Sequence, residues 1–146
     1  MYLKIVIEEP QGSEEEQVII KCHQMTPELL HIITLLKMQD GLIGYEGNEI
    51  HRIHLAAIYY IEVVENRTFL YCKNEFYESK QKLYEIEECL ANSDLIRVSK
   101  SVILNLSKIK SLYPALSGRF EAVLNNGEKI IISRQYVSDL KKRLGI

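Results

Sequence analysis

The chain lacks several features that would place it in a specialised class of protein. No apolar run approaches the roughly eighteen residues that a membrane-spanning helix needs. The first residues alternate and then turn acidic, unlike a signal peptide. The three cysteines include no Cys-x-x-Cys pair, a usage typical of reduced thiols in a cytoplasmic protein. With 146 residues, 47% of them hydrophobic and 26% charged, the chain fits one globular domain, or one domain plus a small extension.

Familiar catalytic and cofactor motifs are also missing. The sequence has no glycine-rich phosphate loop, no nucleophile elbow and no cluster of His and Cys ligands. His51 and His54 are the one close histidine pair, and in a strand they would point to opposite faces, which is poor geometry for a shared metal. We therefore predict no catalytic residue, no metal site and no cofactor.

The charge that is present is divided unevenly along the chain. Residues 1–96 hold 8 Lys/Arg against 17 Asp/Glu, a balance of −9, whereas residues 97–146 hold 10 against 3, a balance of +7. The basic charges lie between apolar runs, so a folded scaffold displays them. This arrangement favours a surface built for a polyanion, with the acidic part kept away from it.

The first forty-odd residues form a distinct pattern. Residues 2–8 and 17–23 alternate as two strands around a polar turn. Thr26, Pro27 and Glu28 open a helix as N-cap, first-turn proline and dipole-matched acid, and Gly41 ends it. Such a strand–strand–helix unit is too small to be stable alone. We predict that residues 1–44 are an extension for dimerisation or partner binding, and that residues 45–146 form the main domain.

The main domain reads as a series of short strands with tight turns and two helices. Asn126-Gly127 marks the clearest hairpin, with a type I′ turn expected there. Ser133 is the expected N-cap of the last helix. The predicted fold class is mainly β (α+β), with antiparallel sheets and a few short helices. The predicted strands cover residues 58–64, 68–72, 76–79, 96–106, 109–113, 120–124 and 129–132, and the helices residues 81–90 and 133–143.

The basic half offers candidates for contacts with nucleic acid. Arg97, Ser99 and Ser101 share one side of an extended segment, with Lys100 in an intervening turn or on the other face. Such a mixture of cationic and hydrogen-bonding side chains suits DNA, because Lys and Arg pair with guanine and Ser with phosphates or bases.

Two further groups extend this set. Lys108 and Lys110 follow at period two, which predicts that they share a strand face. Ser133, Arg134 and Gln135 stand at the start of the last helix, where free N–H groups and the positive dipole end favour a phosphate. Gln also pairs with adenine.

Four stretches resemble the LytTR family of DNA-binding domains across roughly residues 45–146. They are the IYYIEV run from Ile58, the FYESKQKLYEIEE run from Phe76, the LIRVSKSVILN run from Leu95 and the NGEKIIISRQYV run from Asn126. The resemblance implies a mainly β fold that inserts loops, rather than a recognition helix, into successive major grooves of bent DNA.

By position, the resemblance implies three base-reading elements. They are the turn at Asn66 or Arg67, the segment 97–101 with Lys100 nearest the bases, and Arg134 or Gln135. The family commonly has His-Arg-Ser-Tyr where this chain has Ser-Lys-Ser-Val from residue 99. Lys100 cannot form the bidentate fork of an arginine, so its contact is either looser or directed to a phosphate.

The resemblance is to stand-alone LytTR regulators, because the preceding residues are too short for a phosphoryl-receiving domain. It implies a cytoplasmic regulator that binds double-stranded promoter DNA as a homodimer, or as two copies on repeated half-sites, with a small membrane protein as a possible partner. One alternative is a protein-interaction or ligand-sensing module whose basic face binds an acidic partner. An RNA-binding β domain is a second alternative, although the strands show no aromatic stacking motif.

Overall fold

The computed structural model describes residues 3–38 and 41–146 of the chain. Antiparallel β-structure dominates from Gly41 onward, and three α-helices accompany it in the described residues. This confirms the predicted fold class, and strands such as β4 and β10 bury every second residue as their alternating sequences indicate. Among the described helices, none combines the length and the apolar character needed to cross a bilayer.

Within the described residues the larger sheet has seven strands. They are β1 (Gly41–Glu46), β2 (Glu49–His54), β3 (Tyr60–Val64), β4 (Arg67–Tyr71), β5 (Phe76–Ser79), β6 (Leu95–Arg97) and β7 (Val102–Asn105). Their spatial order is β2-β1-β5-β4-β3-β7-β6, and every pairing is antiparallel.

A smaller sheet and the helices pack around this one. The smaller sheet consists of β8 (Ile109–Pro114), β9 (Phe120–Leu124) and β10 (Lys129–Ile132), with β9 in the middle. The helices are α1 (Pro27–Met38), α2 (Leu83–Cys89) and α3 (Arg134–Leu144).

Two apolar cores lie on opposite faces of the larger sheet. Ile103 of β7 belongs to the core under α2, whereas its neighbours Val102 and Leu104 belong to the core shared with the smaller sheet and α3. Successive side chains of a strand point to opposite faces, so one short strand serves both cores. All four residues of β7 are buried for this reason.

The hairpin turns differ from prediction in one detail. The loop between β9 and β10 is not a type I′ turn, because Gly127 alone among residues 125–128 has a positive φ, at 88°. Its N–H donates to the Leu124 carbonyl at 2.9 Å, which leaves Gly127 as the left-handed residue after an ordinary turn. The two left-handed residues of a type I′ turn occur instead at Glu65 and Asn66, between β3 and β4, with φ 51° and 63°.

The amino-terminal helix is present and begins as predicted, but Gly41 is the first residue of β1 rather than the end of the helix, and the two predicted strands are wrong. Thr26 Oγ1 accepts a hydrogen bond from the Leu29 N–H at 3.3 Å, as expected of an N-cap. Residues 3–8 and 17–23 form no strand, and residues 1 and 2 lie outside the described residues. A two-stranded hairpin with nothing packed on its apolar face is only marginally stable in water. The predicted boundary after residue 44 falls within β1.

Candidate nucleic-acid interface

Three predicted segments meet at one end of the larger sheet, called here the loop end. It comprises the β3–β4 turn (residues 65–66), the β6–β7 loop (residues 98–101) and the head of α3 (residues 133–135). The Val63 N–H donates to the Ser101 carbonyl, and the Ser133 N–H donates to the Val98 carbonyl, both at 2.9 Å. These two hydrogen bonds join the loop to β3 on one side and to α3 on the other.

Arg97 organises the β6–β7 loop from within. Its Nε donates to the Ser99 carbonyl at 2.7 Å, and Nη2 donates to the Lys100 carbonyl. Nη1 lies 3.4 Å from Oε1 of Glu87 on α2, and the Arg97 side chain is only 17% exposed. The guanidinium is therefore bound to the protein's own loop, which differs from the outward-facing cation that the strand pattern predicts.

The rest of the loop presents Lys100. Residues 99–101 form a bend, so of the two predicted placements the turn is the correct one, and Lys100 is exposed at its tip. Ser99 Oγ accepts from the Ser101 N–H at 3.3 Å, and both serines are partly buried. The two serines thus shape the loop that carries the lysine.

The head of α3 lies beside the β8–β9 connection. Ser133 has the backbone of an N-cap, but its hydroxyl makes no capping hydrogen bond. Arg134 and Gln135 are exposed. Gly118 has φ +74°, and a Cβ built there would lie 2.8 Å from Cδ of Arg134, so the arginine stem runs directly over this glycine.

Arg119 is a candidate residue that sequence reasoning missed. It is exposed and directly follows Gly118, the residue over which the Arg134 stem runs. Its backbone closes the β8–β9 connection, because its carbonyl accepts from the Ala115 N–H at 2.8 Å. In the sequence, Arg119 was marked only by its position in the basic half of the chain. No local pattern predicts that the β8–β9 connection folds back onto α3.

The β3–β4 turn offers two residues in different states. Asn66 is exposed at the tip of the turn. Arg67 forms a two-point ion pair with Glu78 of β5, with Nε to Oε1 at 3.0 Å and Nη2 to Oε2 at 2.6 Å, and its guanidinium lies 5.3 Å from the Phe69 ring centre. Hydrogen bonding from Arg67 lowers the pKa of Glu78, so the carboxylate remains charged.

Lys108 and Lys110 lie away from these segments. β7 runs from the loop end at Val102 to the opposite end, called the far end, at Asn105, and Lys108 follows it in a short 3₁₀ turn. Nζ of Lys108 lies 5.0 Å from the Tyr59 ring centre. Lys110 is the extra residue of a bulge in β8. The predicted common strand face is therefore wrong, because one of the two lysines is not in the strand.

His51 meets carboxylates rather than His54. Its Nε2 lies 3.1 Å from Oε2 of Glu49 and 3.8 Å from Oε2 of Glu46. Both carboxylates are well exposed to water, where such groups occur commonly without a bound ion. We assign no metal to this cluster.

Comparisons with known proteins agree with this architecture. The profile of the LytTr DNA-binding domain matches residues 48–145. An uncharacterised HTH-type transcriptional regulator of Staphylococcus aureus is 29% identical over 126 residues, which cover 86% of this chain and 85% of that protein. Sensory transduction protein LytT of Enterococcus faecalis is 33% identical over 98 residues, 65% of this chain and 40% of LytT.

A solved structure gives the same result. A LytTr DNA-binding domain from Bacillus cereus superposes with a TM-score of 0.69 at 25% identity, covering 73% of this chain and 98% of that domain. Although the staphylococcal relative is termed HTH-type, α2 and α3 here are separated by β6 to β10 and form no helix-turn-helix. The chain belongs to the LytTR family of DNA-binding domains.

Proposed function

We propose that this chain is a sequence-specific transcription regulator that reads double-stranded DNA in the major groove through its loop end. The observation that carries the proposal is the convergence of three distant segments, tethered by the hydrogen bonds from Val63 and Ser133. In the major groove every base pair presents a distinct set of donors and acceptors, so a few well-placed side chains can read sequence. The family match supports DNA as the target.

The exposed tips supply the reading residues. Asn66, Lys100 and Gln135 each stand at the tip of one segment, and we assign base contacts to them. Asn and Gln can pair bidentately with adenine, whereas Lys pairs with guanine O6 and N7. We assign the exposed guanidiniums of Arg134 and Arg119 to phosphates, which set the register of the protein on the duplex.

The other predicted residues have supporting roles in this proposal. The unused hydroxyl of Ser133 at the head of α3 is placed to donate to a phosphate. Internal contacts occupy Arg67 and Arg97, and the two lysines after β7 lie outside the interface. The residues that shape the interface rather than read bases are Arg67, Arg97, Ser99 and Ser101, and Lys108 and Lys110 have no contact assigned in this proposal.

Three further parts of the proposal concern the whole protein. We infer a cytoplasmic location, because promoter DNA is the target. We also infer that two copies bind as a homodimer, and that residues 1–44 serve dimerisation or partner binding. A small membrane protein that restrains the regulator is the partner that the likeness to stand-alone LytTR regulators favours.

Substitution of Lys100 tests the reading role. We expect Lys100→Ala to weaken binding to the protein's own operator by about 1–3 kcal/mol while changing binding to random duplex much less. The operator is first located by footprinting the DNA upstream of the gene, and affinities are measured by fluorescence anisotropy. Lys73→Ala is the matched control, because Lys73 is an exposed lysine in the β4–β5 turn at the far end. Equal losses on both duplexes would show that Lys100 contacts only phosphate.

Two binding measurements separate this function from its alternatives. A module for an acidic protein partner would show no salt-sensitive gel shift with the upstream DNA, whereas a DNA regulator should lose affinity steeply as salt rises. An RNA-binding domain would be displaced from duplex DNA by single-stranded RNA. We expect such RNA to compete no better than random duplex.

A further inference from the structure

The segment before α1 exposes apolar side chains that have no partner in the described chain. Ile5 and Ile7 are 85% and 92% exposed, and most other large apolar residues of the segment are also exposed, whereas Ile20 is half-buried. The turn between the two predicted strands is nevertheless formed, since the Glu14 N–H donates to the Gln11 carbonyl at 3.1 Å and Gly12 has φ 61°. The segment thus has the pattern and the turn of a hairpin without a surface to cover. Its exposed apolar residues are Leu3, Ile5, Val6, Ile7, Val18, Ile19 and Met25.

Helix α1 continues the same surface. Leu29 is buried against the rest of the chain, but Leu30 is 56% exposed and Leu35 and Leu36 are also exposed. One side of α1 therefore packs against its own chain, and another side exposes apolar residues to solvent. Together the segment and α1, called here the N-terminal unit (residues 3–38), expose on the order of 1,000 Å² of apolar side chain, compared with about 800 Å² per partner in a standard interface.

The sequence of the first segment is complementary to itself. If residues 3–9 of two copies pair antiparallel about a twofold axis at Val6, Lys4 lies opposite Glu8 of the second copy and Ile5 lies opposite Ile7. Directly opposed side chains share a face in an antiparallel pair, so the charges neutralise each other on one face and the isoleucines pack on the other. Twofold symmetry produces each of these pairs twice.

Two observations describe where the N-terminal unit meets the rest of the chain. Tyr45 of β1 pairs antiparallel with Glu78 of β5, which runs toward the loop end, so β1 begins on the loop-end side with Gly41 and runs toward the far end. Leu35 of α1 lines a cavity with residues that follow α2, and these residues precede the far end of β6. The contact of Leu35 therefore places this part of α1 toward the far end.

We propose that the protein dimerises through its N-terminal unit, with residues 3–9 of two copies forming an antiparallel strand pair centred on Val6 and covered by the two α1 helices. This deepens the proposed function, on which it rests for its biological purpose, by naming the surface that joins the two DNA-binding domains. A single unit cannot bury its own apolar face, whereas two units supply both strand pairing and a shared core.

A charge swap in the full-length chain tests the register. We expect Lys4→Glu alone and Glu8→Lys alone each to raise the dimer dissociation constant about tenfold, because each places like charges opposite each other at two symmetric positions. The double variant should restore wild-type dimerisation, since the charges are opposite again. Lys73→Glu is the control for a change of net charge elsewhere. Sedimentation equilibrium without DNA gives the constants.

Removing the apolar contact provides a second measurement. Ile5→Glu should leave a folded monomer, because Ile5 is largely exposed and lies outside both cores. A monomeric wild-type chain at tens of micromolar, or single charge variants that dimerise as wild type does, would overturn the proposal. So would a double variant that stays as weak as the singles. If the chain is a monomer that binds its operator, the dimer proposal fails and the DNA-binding function stands. If it is a dimer that does not bind the operator, the DNA-binding function fails and the dimer proposal stands.

Discussion

Variants of Arg97 can distinguish a residue that positions a loop from one that contacts DNA directly. Its guanidinium donates to two loop carbonyls, Ser99 and Lys100, and lies next to Glu87. A lysine keeps the charge but cannot hold two carbonyls in one planar fork. Loss of one such charged hydrogen bond costs about 1.5–3 kcal/mol. We therefore expect Arg97→Lys to weaken operator binding about 10- to 100-fold, because the loop occupies its binding conformation less often.

The salt dependence of binding then identifies the mechanism. Removal of one phosphate contact lowers the slope of log affinity against log salt by about 1. Arg97→Gln should leave that slope unchanged, since the guanidinium is bound internally, whereas Arg119→Gln should lower it. Fluorescence anisotropy over a salt series measures both, and circular dichroism checks that the variants fold. An Arg97→Gln variant with the smaller slope, together with an Arg97→Lys variant that binds normally, would refute the positioning role.

Three other predictions test the fold around the site. Asn105→Ala should lower the free energy of unfolding in urea by about 3 kcal/mol, because the buried Asn105 amide donates to the Ile58 carbonyl and accepts from the Ser107 N–H, and both groups would lose their partner. A loss of stability near zero would contradict this role. Gly118→Ala and Gly127→Ala should each lower the free energy of unfolding by roughly 1 kcal/mol, because both glycines have a positive φ. Only Gly118→Ala should also weaken DNA binding, since its Cβ would meet Arg134 whereas the space beside Gly127 is open. Equal losses of DNA affinity in the two variants would argue against this arrangement. Burial and a neighbouring carboxylate raise the pKa of Glu62 in the folded protein, so its contribution to stability is present at low pH and lost as pH rises through that raised pKa. Glu62→Gln should therefore stabilise the protein more at pH 7 than at pH 4, and a gain that does not grow with pH in urea unfolding would refute the assignment.

Local elements could be predicted well because their causes are local. The α3 helix begins after Ser133 and ends with Gly145 in the left-handed conformation, as its capping residues indicate. β5 also has its predicted bounds, because a short alternating run between turn residues specifies a strand without reference to distant parts of the chain. The prediction of N-terminal strands was wrong because a strand depends on a non-local cause, namely a second strand that pairs with it.

The candidate site was harder to predict because the sequence gives the charge of a side chain but not whether that side chain faces solvent or the protein. Arg97 and Lys108 belong to the basic half and both read as surface cations, yet the first binds loop carbonyls and the second lies over a tyrosine ring at the far end. Arg119 had no local signal, and only the fold of the β8–β9 connection brings its neighbour Gly118 against Arg134. Such contacts join residues far apart in sequence, so the periodicity of one segment cannot reveal them.

By itself the sequence determined the helices and most of the strands after residue 57, the mainly β class, the basic character of the second half and the family. Those properties follow from short-range alternation, capping and turn chemistry, and from motifs that stand intact in the chain. Only the tertiary structure decided which cations face solvent and which segments meet. The loop end exists because hydrogen bonds from Val63 and Ser133 join β3 and α3 to one loop, and such contacts are set by sheet register and core packing rather than by any single segment.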